Sequence, residues 1–224
     1  ILTRRLQSAP ELSDVGLIIF DEFHERSLQA DVALLLATEV QQTLRDDLRL
    51  LVMSATIDTQ SIAEYLGGAA IIQCPGRAFP VSVAYQESRS SALSVRLEEQ
   101  VISALQTPLE NRPQGTAQGD VLVFLPGQGD IMRCMNAAAK RWGGNDASSP
   151  LFLPLFGGLT LAQQEQAIQP DPQGRQRVIF TTNIAETSLT INGVVWVIDS
   201  GLEKRLQYDP SSGMSRLTTV AISK

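Results

Sequence analysis

The chain has 224 residues, 43% hydrophobic and 19% charged, the balance of a globular protein with one large core or two smaller ones. Its formal net charge of -6 argues mildly against a phosphate-backbone partner, although a cleft can be locally basic on an acidic protein. The two cysteines, Cys74 and Cys134, have no His or Cys at metal-ligand spacing, which excludes the usual zinc site and argues against a disulfide-built secreted domain.

Every apolar run is shorter than a membrane span, and no charged-then-apolar leader opens the chain, so no membrane partner and a cytoplasmic location are expected. The first strand-like run arrives almost at once after Ile1, and the chain reads as a segment of something longer.

In chain order, apolar and β-branched runs fall at Gly16 to Phe20, Leu48 to Met53, Ala69 to Ile72, Val121 to Leu125, Leu151 to Leu155, Val178 to Phe180 and Val194 to Ile198. Most are continuous, the pattern of strands buried on both faces of a parallel sheet. Helical stripes alternate with them: Leu28, Val32, Leu35, Leu36 and Val40 form one, and Ile131, Met135, Ala138 and Trp142 another. Thr160 and Gln163 make a capping box that opens a third helix. Strand–helix alternation predicts an α/β fold with mostly parallel sheets and right-handed crossovers. The turn-rich stretch Cys74 to Pro80 reads as a connector, Thr107 to Gly119 and Gly143 to Pro150 as loops. The strand patterns Lys204 to Tyr208 and Ser215 to Ala221 flank Asp209 to Gly213, a C-terminal β-hairpin. The expected division is 1–73 for a partial first lobe, 74–82 for the connector and 83–224 for a second lobe.

Polar residues gather where strands end: Asp21-Glu22, Ser54-Ala55-Thr56, Pro126-Gly127, Thr181-Thr182-Asn183 and Asp199-Ser200-Gly201. Ligands of open α/β sheets bind at the carboxyl ends of the strands, so these positions point to a site. An Asp there can hold Mg²⁺, mostly through water, and a neighbouring Glu can orient and deprotonate an attacking water, the residue types of phosphoryl transfer. An isolated Asp-Glu pair would read equally as a solvated acidic turn. Ser54 and Thr56 fit a helix cap as well as a relay. The hydroxyls and amides of Thr181, Thr182, Asn183, Thr187, Ser188 and Thr190 suit phosphate contacts, and any one of them suits an N-cap. Gly157 and Gly127 fit either a turn or a close backbone approach. Trp142 and Trp196 read as core.

These residues carry a resemblance. Asp21-Glu22-Phe23-His24-Glu25-Arg26-Ser27 resembles motif II of the DEAH-box helicases of superfamily 2, with Phe23 in place of Ala, as in one bacterial branch of that family. Ser54-Ala55-Thr56 is similar to motif III, and Asn183-Ile184-Ala185-Glu186-Thr187-Ser188-Leu189-Thr190-Ile191 to motif V. Val123 to Gly127 and Pro154 to Gly157 resemble the motif IV region, and Gly76 to Val81 the junction between two RecA-like lobes.

The resemblance implies an ATP-dependent RNA helicase that uses ATP and Mg²⁺, with single-stranded RNA gripped by its backbone and favoured over DNA. It implies catalytic roles for Asp21, Glu22 and His24, with Asp21 and Glu22 at the metal. It further implies nucleotide contacts from Asp21, Glu22, Ser54, Thr56 and Thr187, and RNA contacts from Thr182, Asn183, Thr187 and Gly157. The position that carries an adenine-stacking aromatic in many members falls at Ile168. The alternative is a non-catalytic RNA-binding scaffold of the same fold. The lysines, Lys140, Lys204 and Lys224, follow no G-x-x-x-x-G pattern, so the phosphate-cradling loop is expected upstream and the arginine-finger motif downstream. On this expectation the segment alone does not hydrolyse ATP at a useful rate.

Overall fold

Two short strands, β1 (Leu17–Phe20) and β2 (Arg49–Val52), pair in parallel with Phe20 beside Val52, so the residues after both strands emerge at one end. A computed structural model describes residues 1–55, 59–74, 76, 79–86, 96–111, 118–144, 146, 148–185 and 190–222. The chain divides into two compact units, Ile1–Ser82 and Val83–Lys224.

In the first unit, α1 (Leu2–Ser8), α2 (Leu28–Thr43) and α3 (Thr59–Tyr65) accompany the two strands. The Ser27 hydroxyl caps α2 by accepting the Ala30 N–H, satisfying an N-terminal donor that has no partner within the helix. The buried face of α2 is Ala33, Leu34, Ala37 and Val40, packed with Leu6, Ile18, Phe20 and Leu48. This corrects the expected stripe: Leu28, Val32 and Leu35 are exposed, because the small residues Ala33 and Ala37 let α2 approach the sheet closely. The expected strand Ala69 to Ile72 is also absent, since it finds no ladder partner among the described residues, and Ile72 is exposed.

The second unit holds a four-stranded, all-parallel sheet in the order β4 (Leu151–Leu155), β5 (Arg177–Thr181), β3 (Asp120–Phe124), β6 (Val194–Asp199). Helices α4 (Leu97–Leu109) and α5 (Gln128–Trp142) pack on one face around Val101, Leu105, Val121, Ile131 and Phe180. Helix α6 (Leu161–Ile168) covers the other around Leu122, Leu155, Ala167 and Ile179. Helix α4 continues through Pro108 to Leu109, past the point where a loop was expected to begin. Its Val101 and Leu105 supply the apolar spacing that anchors it. Both hydrogen bonds of the Thr160–Gln163 capping box form. The C-terminal hairpin is β7 (Leu202–Asp209) and β8 (Met214–Ala221), antiparallel from Leu202–Ala221 to Asp209–Met214. Gly213, at φ +66°, supplies the left-handed residue of its turn. No helix among the described residues is long and apolar enough to cross a membrane.

Candidate functional site

In the first unit the chain turns sharply as it leaves β1. Glu22 takes φ +50°, uncommon for a side-chain-bearing residue, and Arg26 takes φ +48° at the far end of a 3-10 turn over Phe23–Glu25. The turn is held by its neighbours. The Phe23 N–H donates to the Met53 carbonyl, extending the β1–β2 pairing beyond both strands. The buried Phe23 ring packs edge-on against Phe20 at 6.3 Å, and the Arg26 guanidinium lies 5.6 Å from its centre. Arg26 also pairs with Asp31. The Phe of this motif therefore anchors the turn into the core and gives Arg26 a platform, a cation–π contact worth about 0.5–1 kcal/mol where exposed.

On that turn Asp21 is exposed, and its Oδ1 accepts the Glu22 N–H at 2.8 Å. It makes no other hydrogen bond or ion pair with a described residue. His24 Nδ1 lies 3.3 Å from Glu22 Oε2 and 3.5 Å from the Ala55 N–H. One ring nitrogen cannot serve both: protonated it donates to Glu22, unprotonated it accepts from Ala55. The end of β1 and the end of β2 are thus joined through one imidazole. Ser54 is half-buried beside Ala55. Thr56 lies outside the described residues.

The second unit gathers its polar residues at the carboxyl ends of β3, β5 and β6. Thr181 is buried, with its hydroxyl donating to the Thr182 carbonyl and its own carbonyl accepting the Leu125 N–H. Thr182 is half-buried, and the exposed Asn183 opens a 3-10 turn over Asn183–Ala185. A cavity of about 330 Å³ opens there, lined by Phe124, Pro126, Asn183, Asp199, Lys204 and Arg205 among others. Gly157 is exposed after β4; a Cβ there would meet only Ile184 Cδ1 at 3.8 Å, an ordinary contact, so close packing does not require glycine. Thr187 lies outside the described residues. Ile168 ends α6, and its carbonyl accepts from Arg177.

Lys204 was missed by motif reading. It lines the cavity, and its ammonium makes no hydrogen bond or ion pair with another described residue, whereas its neighbour Arg205 pairs with Glu203 at 2.5 Å. A Cβ built on Gly127, the residue that precedes α5, would lie 2.6 Å from Lys204 Nζ. The available signal was its rarity, one lysine of three, placed just after a polar strand end. Cys134 is a core residue: burial pushes its thiol up to about 12, leaving it protonated and inert. Trp142 joins the rim of that core with its indole N–H on Glu110, and Trp196 packs there too.

Each unit by itself places polar groups at the carboxyl ends of parallel strands, carboxylates in the first and hydroxyls, an amide and an ammonium in the second, the pattern of nucleotide- or phosphate-handling α/β proteins. Comparison with known proteins narrows the class. Residues 101–216 match the helicase conserved C-terminal domain. The whole chain is 45% identical to the ATP-dependent RNA helicase HrpB of Escherichia coli, covering 26% of that protein. It is 34% identical to the probable ATP-dependent RNA helicase DHX34 of Homo sapiens, covering 20% of it. The crystal structure of the Escherichia coli DEAH/RHA helicase HrpB superposes with a TM-score of 0.84 over 99% of this chain and 27% of that one. The chain belongs to the helicase family and carries its conserved C-terminal domain. It spans about a quarter of the length of the bacterial relative and a fifth of the human one.

Proposed function

We propose that this chain forms part of the motor of an ATP-dependent RNA helicase, coupling ATP hydrolysis to movement along or remodelling of RNA. On this reading 1–73 is the C-terminal part of a first RecA-like lobe, 74–82 the connector and 83–224 a second lobe. The observation that carries the reading is the turn after β1, where Glu22, His24 and Ala55 meet beside an exposed Asp21 carboxylate.

Asp21 suits a Mg²⁺ ion that keeps most of its waters, because such an ion needs only one or two protein carboxylates. When bound with ATP, the metal would neutralise charge on the phosphates. Glu22 is the base that orients and deprotonates the attacking water, and its contact with His24 fixes where its carboxylate points. His24 chooses between Glu22 and Ala55, so a change at the base is felt at the end of β2, beside Ser54. In the second unit Thr182, Asn183, Gly157 and Thr187 contact the RNA backbone, and Lys204 adds an ammonium that has no partner among the described residues. Backbone contacts of this kind hold single-stranded RNA without reading its sequence.

The test is Glu22→Gln in the whole protein that carries this chain, assayed for RNA-stimulated phosphate release and, separately, for RNA binding. Loss of a general base lowers the rate by about 10²- to 10⁴-fold. RNA affinity is expected to stay within twofold, roughly, because the substitution leaves the second unit untouched. Hydrolysis at the original rate would remove Glu22 from the chemistry and the reading with it.

A further inference from the structure

Among the described residues, the most completely buried cation of the second unit lies at the other end of the sheet from the candidate site. Arg177 opens β5 and is 1% exposed. Its Nε and Nη2 donate to Asp120 Oδ2 at 3.0 and 2.6 Å, and its backbone N–H donates to Asp120 Oδ1. Nη2 also donates to the Asn192 carbonyl at 2.6 Å. Nη1 is shared among the carbonyls of Ala167, Ile168 and Gln169, the C-terminal end of α6. Each N–H of the guanidinium therefore has an acceptor within reach.

Stability alone does not account for this arrangement. A buried ion pair is often no better for stability than well-packed apolar residues of the same volume, and what it adds is fixed hydrogen-bond geometry. The geometry here is specific. The strand that begins with Arg177 ends with Thr181, and Thr182 and Asn183 follow directly. The chain returns to the sheet at Asn192 and Gly193, ahead of β6, and it is the Asn192 carbonyl that the guanidinium holds. Gly193 completes the clamp. It takes φ +94°, its carbonyl accepts the Asp120 N–H, and a Cβ there would lie 2.8 Å from Asp120 Oδ2. One guanidinium, with one carboxylate, therefore ties the departure strand, the return point and the end of α6 to a single spot.

We propose that Arg177 is a positioning residue for RNA coupling: it fixes the start and the end of the β5-to-β6 connection, so that Thr182 and Asn183 at its opening meet the RNA backbone in one register. This rests on the functional reading above. Lysine cannot replace it, because an ammonium has three donors on a point charge and cannot span the carboxylate and both sets of carbonyls.

The experiment compares wild type, Arg177→Lys and Gly193→Ala in the whole protein, measuring ATP hydrolysis against oligouridylate concentration, with thermal melts of each. Gly193→Ala disturbs the return point while leaving the guanidinium in place, so it decides the matter if the lysine variant folds poorly. The expected result in both variants is a rise of about tenfold in the RNA concentration that gives half-maximal stimulation, toward the low end of couplings between sites. The rate at saturating RNA should fall by less than about twofold, the split expected when binding rather than chemistry is lost. Wild-type half-stimulation in Gly193→Ala would overturn the proposal. So would an equal loss of rate at every RNA concentration that tracks the melting temperature, which marks a merely structural role. A wild-type enzyme indifferent to RNA would instead remove the functional reading, and that result appears before either variant is assayed.

Discussion

The two units finish their sheets differently. The second covers its four strands with α4 and α5 on one face and α6 on the other, and all five residues of β5 are buried. The first leaves one face of a two-stranded sheet open, with Leu17, Ile19, Leu51 and Met53 exposed. Parallel sheets are normally covered on both sides, and among the described residues these four apolar side chains have no such cover. Each unit nevertheless relies on an arginine that gathers backbone carbonyls around a carboxylate. Arg45 donates to the carbonyls of Glu11, Leu12 and Val15 and pairs with Asp47. Arg177 does the same around Asp120. The Arg45 side chain is 18% exposed with its partner at 63%, against 1% and 14% for Arg177 and Asp120. The same device thus works in wet surroundings in one unit and dry in the other, and its consequences should scale accordingly.

The largest stability effect should come from the dry clamp. Arg177→Met strands Asp120 and frees a set of buried carbonyls, and breaking a buried pair by removing one partner costs about 3–5 kcal/mol. Both tryptophans, Trp142 and Trp196, lie in the second unit, so fluorescence during urea unfolding reads that unit directly. The midpoint of the fluorescence transition should fall sharply. A midpoint within error of wild type would show that the pair is held no better than a surface one.

Arg45→Met tests the wet clamp. Water can replace the guanidinium at the carbonyls it holds, so the loss should be smaller. It should appear as faster proteolysis of 1–82, with little movement of the tryptophan transition. A shift as large as that of Arg177→Met would erase the distinction between the two surroundings.

Neither clamp was legible in the sequence, and the reason is physical. Arg177 contacts Asp120, Ala167 and Asn192, which are brought together only when β3, β5 and the end of α6 assemble. Local periodicity carries no record of such a contact. Six of the seven strand runs were legible because parallel strands tend to be continuously apolar, and Thr160 with Gln163 was legible because capping chemistry is local. The α2 stripe misled because Leu28, Val32 and Leu35 are larger than Ala33 and Ala37, yet close helix–sheet packing selects the small residues. The motif residues were legible by their order. The contact between His24 and Ala55 was not, since it depends on the pairing of β1 with β2.

Acid should weaken the second unit through Asp171. Asp171 accepts from Arg175 and from two backbone N–H groups, chiefly the Arg175 side chain, and this holds its carboxyl down at about 2. A carboxyl lowered in the folded state favours folding above its unfolded value near 4, and that contribution drains away as pH falls from there toward 2. Asp171→Asn should therefore lower the tryptophan-reported midpoint at pH 7 and leave it nearly unchanged close to pH 2. An equal loss at both pH values would assign the residue's role to its neutral hydrogen bonds.

The smallest effect probes what the better-covered scaffold presents. The Lys204 ammonium, without a partner among the described residues, lines the cavity beside the start of α5, where the helix dipole already favours an anion. A cation placed there gains nothing from the helix, and an RNA phosphate would satisfy both. Each phosphate neutralised on a single strand contributes about 0.7 to the slope of log affinity against log salt. Lys204→Gln should lower that slope by about 0.7 for an oligouridylate of any register, with Lys204→Arg restoring it. The effect should be uniform across RNA sequences, because a backbone contact positions the strand without reading bases. A drop in affinity at unchanged slope would mean that Lys204 acts through the packing of β7. A slope change confined to ATP-analogue binding would assign the anion to the nucleotide, and would move the second unit's contribution from gripping the strand to sensing the nucleotide.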